Sequence, residues 1–449
     1  MTTTLELPRP APKPLPGPRG NPIWGSLLEA WEDPIALMSR GVREHGEVCA
    51  FRFGWLRYVV VADPEGIKHV LVTNHRNYTK SRNYAGLKAV LGEGLLTAEG
   101  EKWRRHRKLA QPAFHRERLA GFAASMAACT NDLVARWEDG ATLDLHEQMT
   151  RLTFRVVGKT LMSTELEGDA KAIGDALTVA LTWANDHVES VVRVPPWVPT
   201  PNNVRFGRAK KVIDDLVTRI ITERRASGAR HDDLLAMLME AKDEETGVGL
   251  DDEELKHELV TLVLAGHETT ANALSFALWL LATHPEAARA LEREADEVLG
   301  DRAPGLADLP KLSWTTRVIE EAMRLYPPAW CFERQAIADD VICGHHVPKG
   351  TIIGVSPWVT HRLPRLWRDP ERFDPSRFAT APDKYAYVPF GGGPRVCIGN
   401  AFAMMEMQIV LASIARRFRF APVPGFALEL EPSITLRPKR GVPLRLEAR

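Results

Sequence analysis

The chain has 449 residues, of which 45% are hydrophobic, and Lys plus Arg balance Asp plus Glu at 58 each. The length allows about 75% of the unfolded surface to be buried, and the balanced charge leaves no electrostatic footprint for nucleic acid. Five scattered cysteines (Cys49, Cys129, Cys331, Cys343 and Cys397) exclude a disulfide framework and suit a reducing, cytoplasmic compartment.

In chain order, residues 1–22 read as a proline-rich arm, with prolines at 8, 10, 12, 14, 16 and 18 that favour an extended backbone. No secretory signal precedes it. Val48 to Ala62 reads as strands around WLRYVVVA. Helical periodicity covers Leu119 to Glu138, Ala170 to Val188, Ala209 to Ala226, Asp251 to Thr283, Pro285 to Leu299 and Ser313 to Leu325. The fourth starts cleanly, with Asp251 or Asp252 as cap and Glu253 and Glu254 in its first turn. Its apolar run, Leu259 to Leu281, contains His267, Glu268 and Asn272, which are costly in a bilayer, so it predicts a buried helix and no membrane anchor. Short strands punctuated by Gly344 and Pro348-Lys349-Gly350 follow between Gln335 and Val355. The segment VPPWVPTPNN (194–203) reads as a mobile lid or a rigid cap. With no repeat and no flexible linker, residues 23–449 are expected to form one mostly α domain with small β-sheets.

Four constellations carry chemistry. Phe390 to Gly399 reads FGGGPRVCIG, and an apolar helical pattern begins just after Cys397. Glycines permit close backbone approach, and a helix N-terminus stabilises a thiolate, a soft ligand for iron or zinc. Zinc would need partner ligands nearby, and none stands at short spacing. A dinucleotide fingerprint beginning at Gly391 would need glycine where Val396 stands. The second, Ala265-Gly266-His267-Glu268-Thr269-Thr270, sets an acid beside a hydroxyl midway along a helix of about 45 Å. That pairing suits proton delivery, while Gly266 alone would suit a close helix crossing. Third, Glu321 and Arg324 share a helix face at i and i+3. Fourth, Trp103 and Arg107 lie in EKWRRHRKLAQPAF, within a basic cluster of Arg104, Arg105, Lys108, Arg116 and Arg118. For any one of those cations a solvated helix face is the ordinary reading.

The loop resembles the haem-binding pattern F-x-x-G-x-R-x-C-x-G of the cytochrome P450 family, with Phe390, Gly393, Arg395, Cys397 and Gly399 at the fixed positions. Ala265 to Thr270 is similar to the family's distal motif, (A/G)-G-x-(D/E)-T-(T/S), and resemblance extends from the proline-rich arm to LEPSITLRP. Glutamate at 268 and Asn400 are slight departures. The resemblance implies the P450 fold, with haem b (iron protoporphyrin IX) between a long distal helix and a proximal cysteine-loop helix. It implies Cys397 as the iron ligand, with Trp103, Arg107, Arg334, Arg395, Phe390, Gly399 and Ala265 around the cofactor. Thr269 and Glu268 would deliver the protons that O–O cleavage needs. Arg377 in ERFDPSRF would join Glu321 and Arg324 in a buried cluster that keeps the cysteine loop in shape.

By family placement Leu87, Val90, Leu262, Ala265, Thr269, Ala329, Trp330, Phe332, Ile434 and Thr435 would line a pocket for a lipophilic substrate, such as a terpenoid, fatty acid or steroid-like compound. Each of them is equally suited to the core. The implied activity is insertion of one oxygen atom from O2 by a monomer. Because the chain ends soon after the cysteine helix, electrons would come from NAD(P)H through an external ferredoxin or flavodoxin with its reductase, guided by the basic cluster. The alternatives are a haem-thiolate peroxygenase or isomerase, and a non-catalytic haem-binding protein.

Overall fold

The computed structural model describes residues 12–164, 170–190, 193–228 and 231–449, so the first half of the proline-rich arm lies outside the described residues. Two compact units are present. The first comprises the chain up to Ser81, Cys331–Leu366 and Asp383–Val396; the second comprises Arg82–Trp330, Trp367–Pro382 and Cys397–Arg449.

The first unit is built on a five-stranded sheet in the order Val48–Phe53, Leu56–Val61, Ile352–Val355, Phe332–Ala336, Tyr78–Thr79. All neighbours are antiparallel except Leu56–Val61 and Ile352–Val355, which run parallel with Tyr58 opposite Ile352. Val59, Val60, Val61, Ile353 and Val355 are wholly buried, as expected of central strands covered on both faces. Beside the sheet, His69–Thr73 makes a π turn. Asp340 fixes its surroundings, with Oδ2 taking hydrogen bonds from His69 Nε2 (2.9 Å), Asn74 Nδ2 (3.0 Å) and Tyr78 Oη (2.5 Å).

The second unit is a helical bundle threaded by Asp252–Thr283. That long helix opens with a capping box, Asp251 Oδ1 accepting from Glu254 N (2.8 Å) and Glu254 Oε2 from Asp251 N (3.2 Å). It packs against Leu145–Met162, Pro201–Ser227, Ser313–Leu325 and the helix Asn400–Ala415 that follows the cysteine. Periodicity did not single out Leu145–Met162. Its stripe is interrupted by Thr153 and Thr160, whose hydroxyls donate to the carbonyls of Thr150 and His267 and of Val156 and so tolerate burial. The segment 194–203 is tied down at Asn203. Asn203 Nδ2 donates to the carbonyls of Pro195 (2.8 Å) and Val198 (2.9 Å) while its Oδ1 accepts from Trp183 Nε1 (2.8 Å).

Glu321 and Arg324 are fully buried and pair bidentately, Nε to Oε2 at 2.7 Å and Nη2 to Oε1 at 2.8 Å. Arg377 Nε donates to Glu321 Oε1 at 3.3 Å, and Asp374 N to the same oxygen at 2.9 Å. Arg324 also donates to the carbonyls of Pro370 and Arg372, and Arg377 to those of Arg368, Asp369 and Arg372. The cluster thus forms as expected, and the backbone it clamps directly is 368–374. Arg324→Ala strands a buried carboxylate, so urea unfolding should show a loss of about 3–5 kcal/mol, far beyond that of an exposed-pair control such as Arg151→Ala.

Candidate functional site

The unit boundary falls between Val396 and Cys397, so the glycine loop belongs to the first unit and the sulfur to the second. In the first unit Gly393 sits at φ +67, and a Cβ there would come within 1.9 Å of the Leu71 carbonyl oxygen in the π turn. Only glycine fits, because both the backbone angle and the approach exclude a side chain. Phe390 and Arg395 are half-buried. Arg334 is buried in its strand, with Nη1 donating to the Glu333 carbonyl at 2.9 Å and its guanidinium 5.7 Å from the Phe332 ring centroid.

In the second unit Cys397 stands two residues before Gly399, the N-cap of the cysteine helix Asn400–Ala415. Its side chain is accessible, yet the sulfur lies deep enough among protein atoms that burial pushes the thiol up. The Gly399 N–H and the charge of Arg107 act in the opposite direction. Arg107 responds reciprocally, lowered by burial and raised by Cys397. Trp103 and Arg107 stand one turn apart on Gly100–Ala110, facing the same way as the motif requires. Gly399 leaves open space, with a Cβ there meeting only Phe114 at 3.9 Å. Among the described residues no three His, Cys, Asp or Glu side chains gather as a metal site. A metal held by Cys397 must therefore bring most of its own ligands, which fits a porphyrin and does not fit a zinc cage.

Ala265 is exposed and Thr269 half-buried, whereas Leu262, Val263, Leu264 and Thr270 to Leu274 are buried, so one accessible patch interrupts the long helix. Thr269 Oγ1 donates to the Ala265 carbonyl at 2.7 Å. Gly266 faces Val157 of Leu145–Met162, where a Cβ would approach to 3.3 Å, so its packing role is real. Glu268 Oε1 accepts from Thr435 Oγ1 at 2.6 Å. Of the expected pocket residues, Leu87, Val90 and Leu262 are buried in one hydrophobic core, with Ile434 packed against it. Trp330 is also buried, its Nε1 donating to the Ser433 carbonyl at 2.8 Å.

The basic cluster is largely neutralised. Arg105 pairs with Glu254 at 2.7 Å, Lys108 with Asp243 at 3.0 Å, and Arg104 with Glu101. The side chains of Arg116 and Arg118 lie outside the described residues.

Sequence reasoning missed His106, which is wholly buried among those cations. Its Nδ1 lies 2.6 Å from Glu258 Oε1 and its Nε2 3.2 Å from Glu254 Oε1, joining the helix of Trp103 and Arg107 to the start of the long helix. Glu258 Oε2 in turn accepts from Leu95 N at 3.1 Å. The available signal was the i, i+4 spacing of Glu254 and Glu258, which places two carboxylates on one helix face.

The chain belongs to the cytochrome P450 family, whose model matches residues 15–443. It is an oxidoreductase. Among similar proteins, cyclooctat-9-en-7-ol 5-monooxygenase of Streptomyces melanosporofaciens is 38% identical, covering 92% of this chain and 90% of that protein. Cyclooctatin synthase from the same organism is 36% identical, covering 95% and 94%. Pentalenene oxygenase of Streptomyces avermitilis is 34% identical, covering 96% and 97%. No helix among the described residues is long and apolar enough to cross a membrane.

Burial lowers the affinity of the His106 imidazole for its proton, but the carboxylates of Glu258 and Glu254 outweigh that, and the net shift is upward. A raised imidazole contributes stability that is fully present below the unfolded value near 6.5 and lost as pH rises through the folded one. Glu254 is pushed down to about 2, chiefly by Arg105, so its contribution is present above about 4.5 and lost as pH falls towards 2. His106→Gln should therefore cost most stability near pH 6, and the difference from wild type should shrink in alkaline buffer, as followed by urea titrations across the pH range.

Proposed function

We propose that the protein is a haem-thiolate monooxygenase that inserts one oxygen atom of O2 into a lipophilic substrate of terpenoid type. Electrons come from NAD(P)H through a ferredoxin or flavodoxin and its reductase. The observation that carries this reading is the setting of Cys397, a soft ligand beside Arg107 and the Gly399 N–H, with no ligating cluster to compete among the described residues. The substrate class rests on the apolar character of Leu262, Ala265 and Ile434 and on relatives named for cyclooctat-9-en-7-ol and pentalenene.

Haem bound through Cys397 supplies the oxygen activation, and the rest is the chain's own work. Gly399 N–H and Arg107 favour the ionised sulfur. Trp103 and Arg107 take a propionate, as the planar fork of arginine suits a carboxylate. The same role is proposed for Arg334 and Arg395 on their motif positions, and Phe390 and Gly399 shape the approach to the sulfur. Ala265 leaves the accessible patch of the long helix without bulk. Thr269, whose hydroxyl donates to the Ala265 carbonyl, would orient a hydrogen bond at the reaction site, and Glu268 would hold the proton to be supplied there. Arg105 and Lys108 would contribute less to partner docking than free cations, because each is paired with a carboxylate.

The purified protein should give the red-shifted Soret band of a thiolate-ligated haem when reduced under carbon monoxide, and Cys397→Ala should lose it. An unaltered band in that variant would falsify the assignment. Thr269→Ala should keep haem but divert most electrons into peroxide, measured as product formed per NAD(P)H consumed. Coupling equal to wild type would remove the hydroxyl from the mechanism.

A further inference from the structure

Glu268 is held by a short chain of side chains. Thr435 Oγ1 lies 2.6 Å from Glu268 Oε1 and receives a hydrogen bond from Asn272 Nδ2 at 3.3 Å. A hydroxyl owns one proton. With Asn272 donating to it, Thr435 spends that proton on the carboxylate, and Glu268 is the acceptor. Asn272 is wholly buried, and its Oδ1 has no hydrogen-bond partner. Either orientation of the amide leaves one end without a partner, so the orientation seen here holds no advantage on that count and a second one competes with it. Rotating the amide by half a turn barely changes its shape and presents Oδ1 to Thr435. The hydroxyl proton then goes to Asn272, and Glu268 is released.

Thr435 lies in the turn between the strands Leu430–Pro432 and Leu436–Pro438. Two hydrogen bonds tie this hairpin to the segment after Ser313–Leu325: Trp330 Nε1 to the Ser433 carbonyl at 2.8 Å, and Leu436 N to the Pro328 carbonyl at 2.9 Å. Ile434, between the residue that Trp330 holds and the residue that holds Glu268, packs on the apolar core containing Leu262. One turn thus touches the acid with one side chain and the apolar wall with the next.

We propose that Ser433–Thr435 is a substrate-sensed latch on Glu268, closed by Thr435 and opened when an apolar molecule displaces Ile434 and Asn272 takes over the hydroxyl proton. The inference rests on the monooxygenase reading. Thr269 shares the resting arrangement, its hydroxyl being turned back onto the Ala265 carbonyl. Thr435 is a positioning residue, because it acts through Glu268. The device withholds protons until substrate is present, which limits peroxide formation in its absence.

The test uses the full-length holoenzyme, with Thr435→Val removing the hydroxyl at nearly constant shape and Thr435→Ser restoring it. The infrared carboxyl bands assigned to Glu268 by subtraction of Glu268→Gln should shift in the valine variant and return in the serine variant. Adding a sesquiterpene hydrocarbon should move the same bands in wild type, and in Asn272→Leu, which lacks the second acceptor, it should not. Substrate-free NAD(P)H oxidation should rise about tenfold in Thr435→Val, the scale of one hydrogen bond to a charged group. Glu268 bands indifferent to both substitutions overturn the latch, as does a sesquiterpene response that survives in Asn272→Leu. The infrared result stands apart from turnover, so a protein with no NAD(P)H-driven activity would defeat the monooxygenase reading while the bands still report on the latch.

Discussion

The second unit depends on one constraint, the burial of Asp252–Thr283 along nearly its whole length. Twenty-one of its side chains are buried, and helices on several sides pack on it, among them Leu145–Met162, Pro201–Ser227 and Ser313–Leu325. A helix so enclosed cannot shift by a fraction of a turn without opening its neighbours, because interiors are packed at crystal-like density. Each group it carries is therefore placed to within a rotamer. Its start receives His106, and its centre carries Ala265, Glu268 and Thr269.

Polar groups inside such a bundle have to be satisfied within it. Glu258, buried near the start of the helix, has both oxygens engaged, one by His106 and one by Leu95 N. Glu268 is engaged by Thr435, and Glu321 is surrounded by two guanidiniums and a backbone N–H. These arrangements differ in reversibility. The Glu321 cluster has several charged partners and holds one geometry. Glu268 feels the charge of Arg437, but its direct hydrogen bond comes from one hydroxyl whose proton has another buried claimant in Asn272. Rigidity is concentrated where the backbone must be held, and a choice of partners is left where a proton must move.

Charge at the cysteine follows the same economy. The Gly399 N–H and the Arg107 guanidinium favour the thiolate, while burial opposes it. Neighbouring cations on Gly100–Ala110 are paired with carboxylates of their own unit, and the positive charge that acts on the Cys397 sulfur comes from Arg107. A thiol raised by burial binds a metal by exchanging its proton for the cation, so the same burial that disfavours the free thiolate keeps competing water away from the bound one.

The sequence by itself determined the chemistry-bearing motifs and most of the framework. FGGGPRVCIG, AGHETT, the Glu321–Arg324 pair and W-x-x-x-R each act through spacing within one turn or one loop, which the order of residues dictates. The boundaries of Pro285–Leu299 and Ser313–Leu325 were legible for the same reason, since their apolar periodicity is strong and their ends are marked. Leu145–Met162 was not, because its buried Thr153 and Thr160 look polar until their hydroxyls are seen satisfied by carbonyls of this helix and of the long one. Only the tertiary structure decided that Thr435 reaches Glu268 across 167 positions, that His106 meets Glu258 across 152, and that Leu87 and Val90 belong to the core. Those partnerships depend on which helix faces meet after the bundle closes, and packing of distant segments leaves no periodic trace in the order of residues.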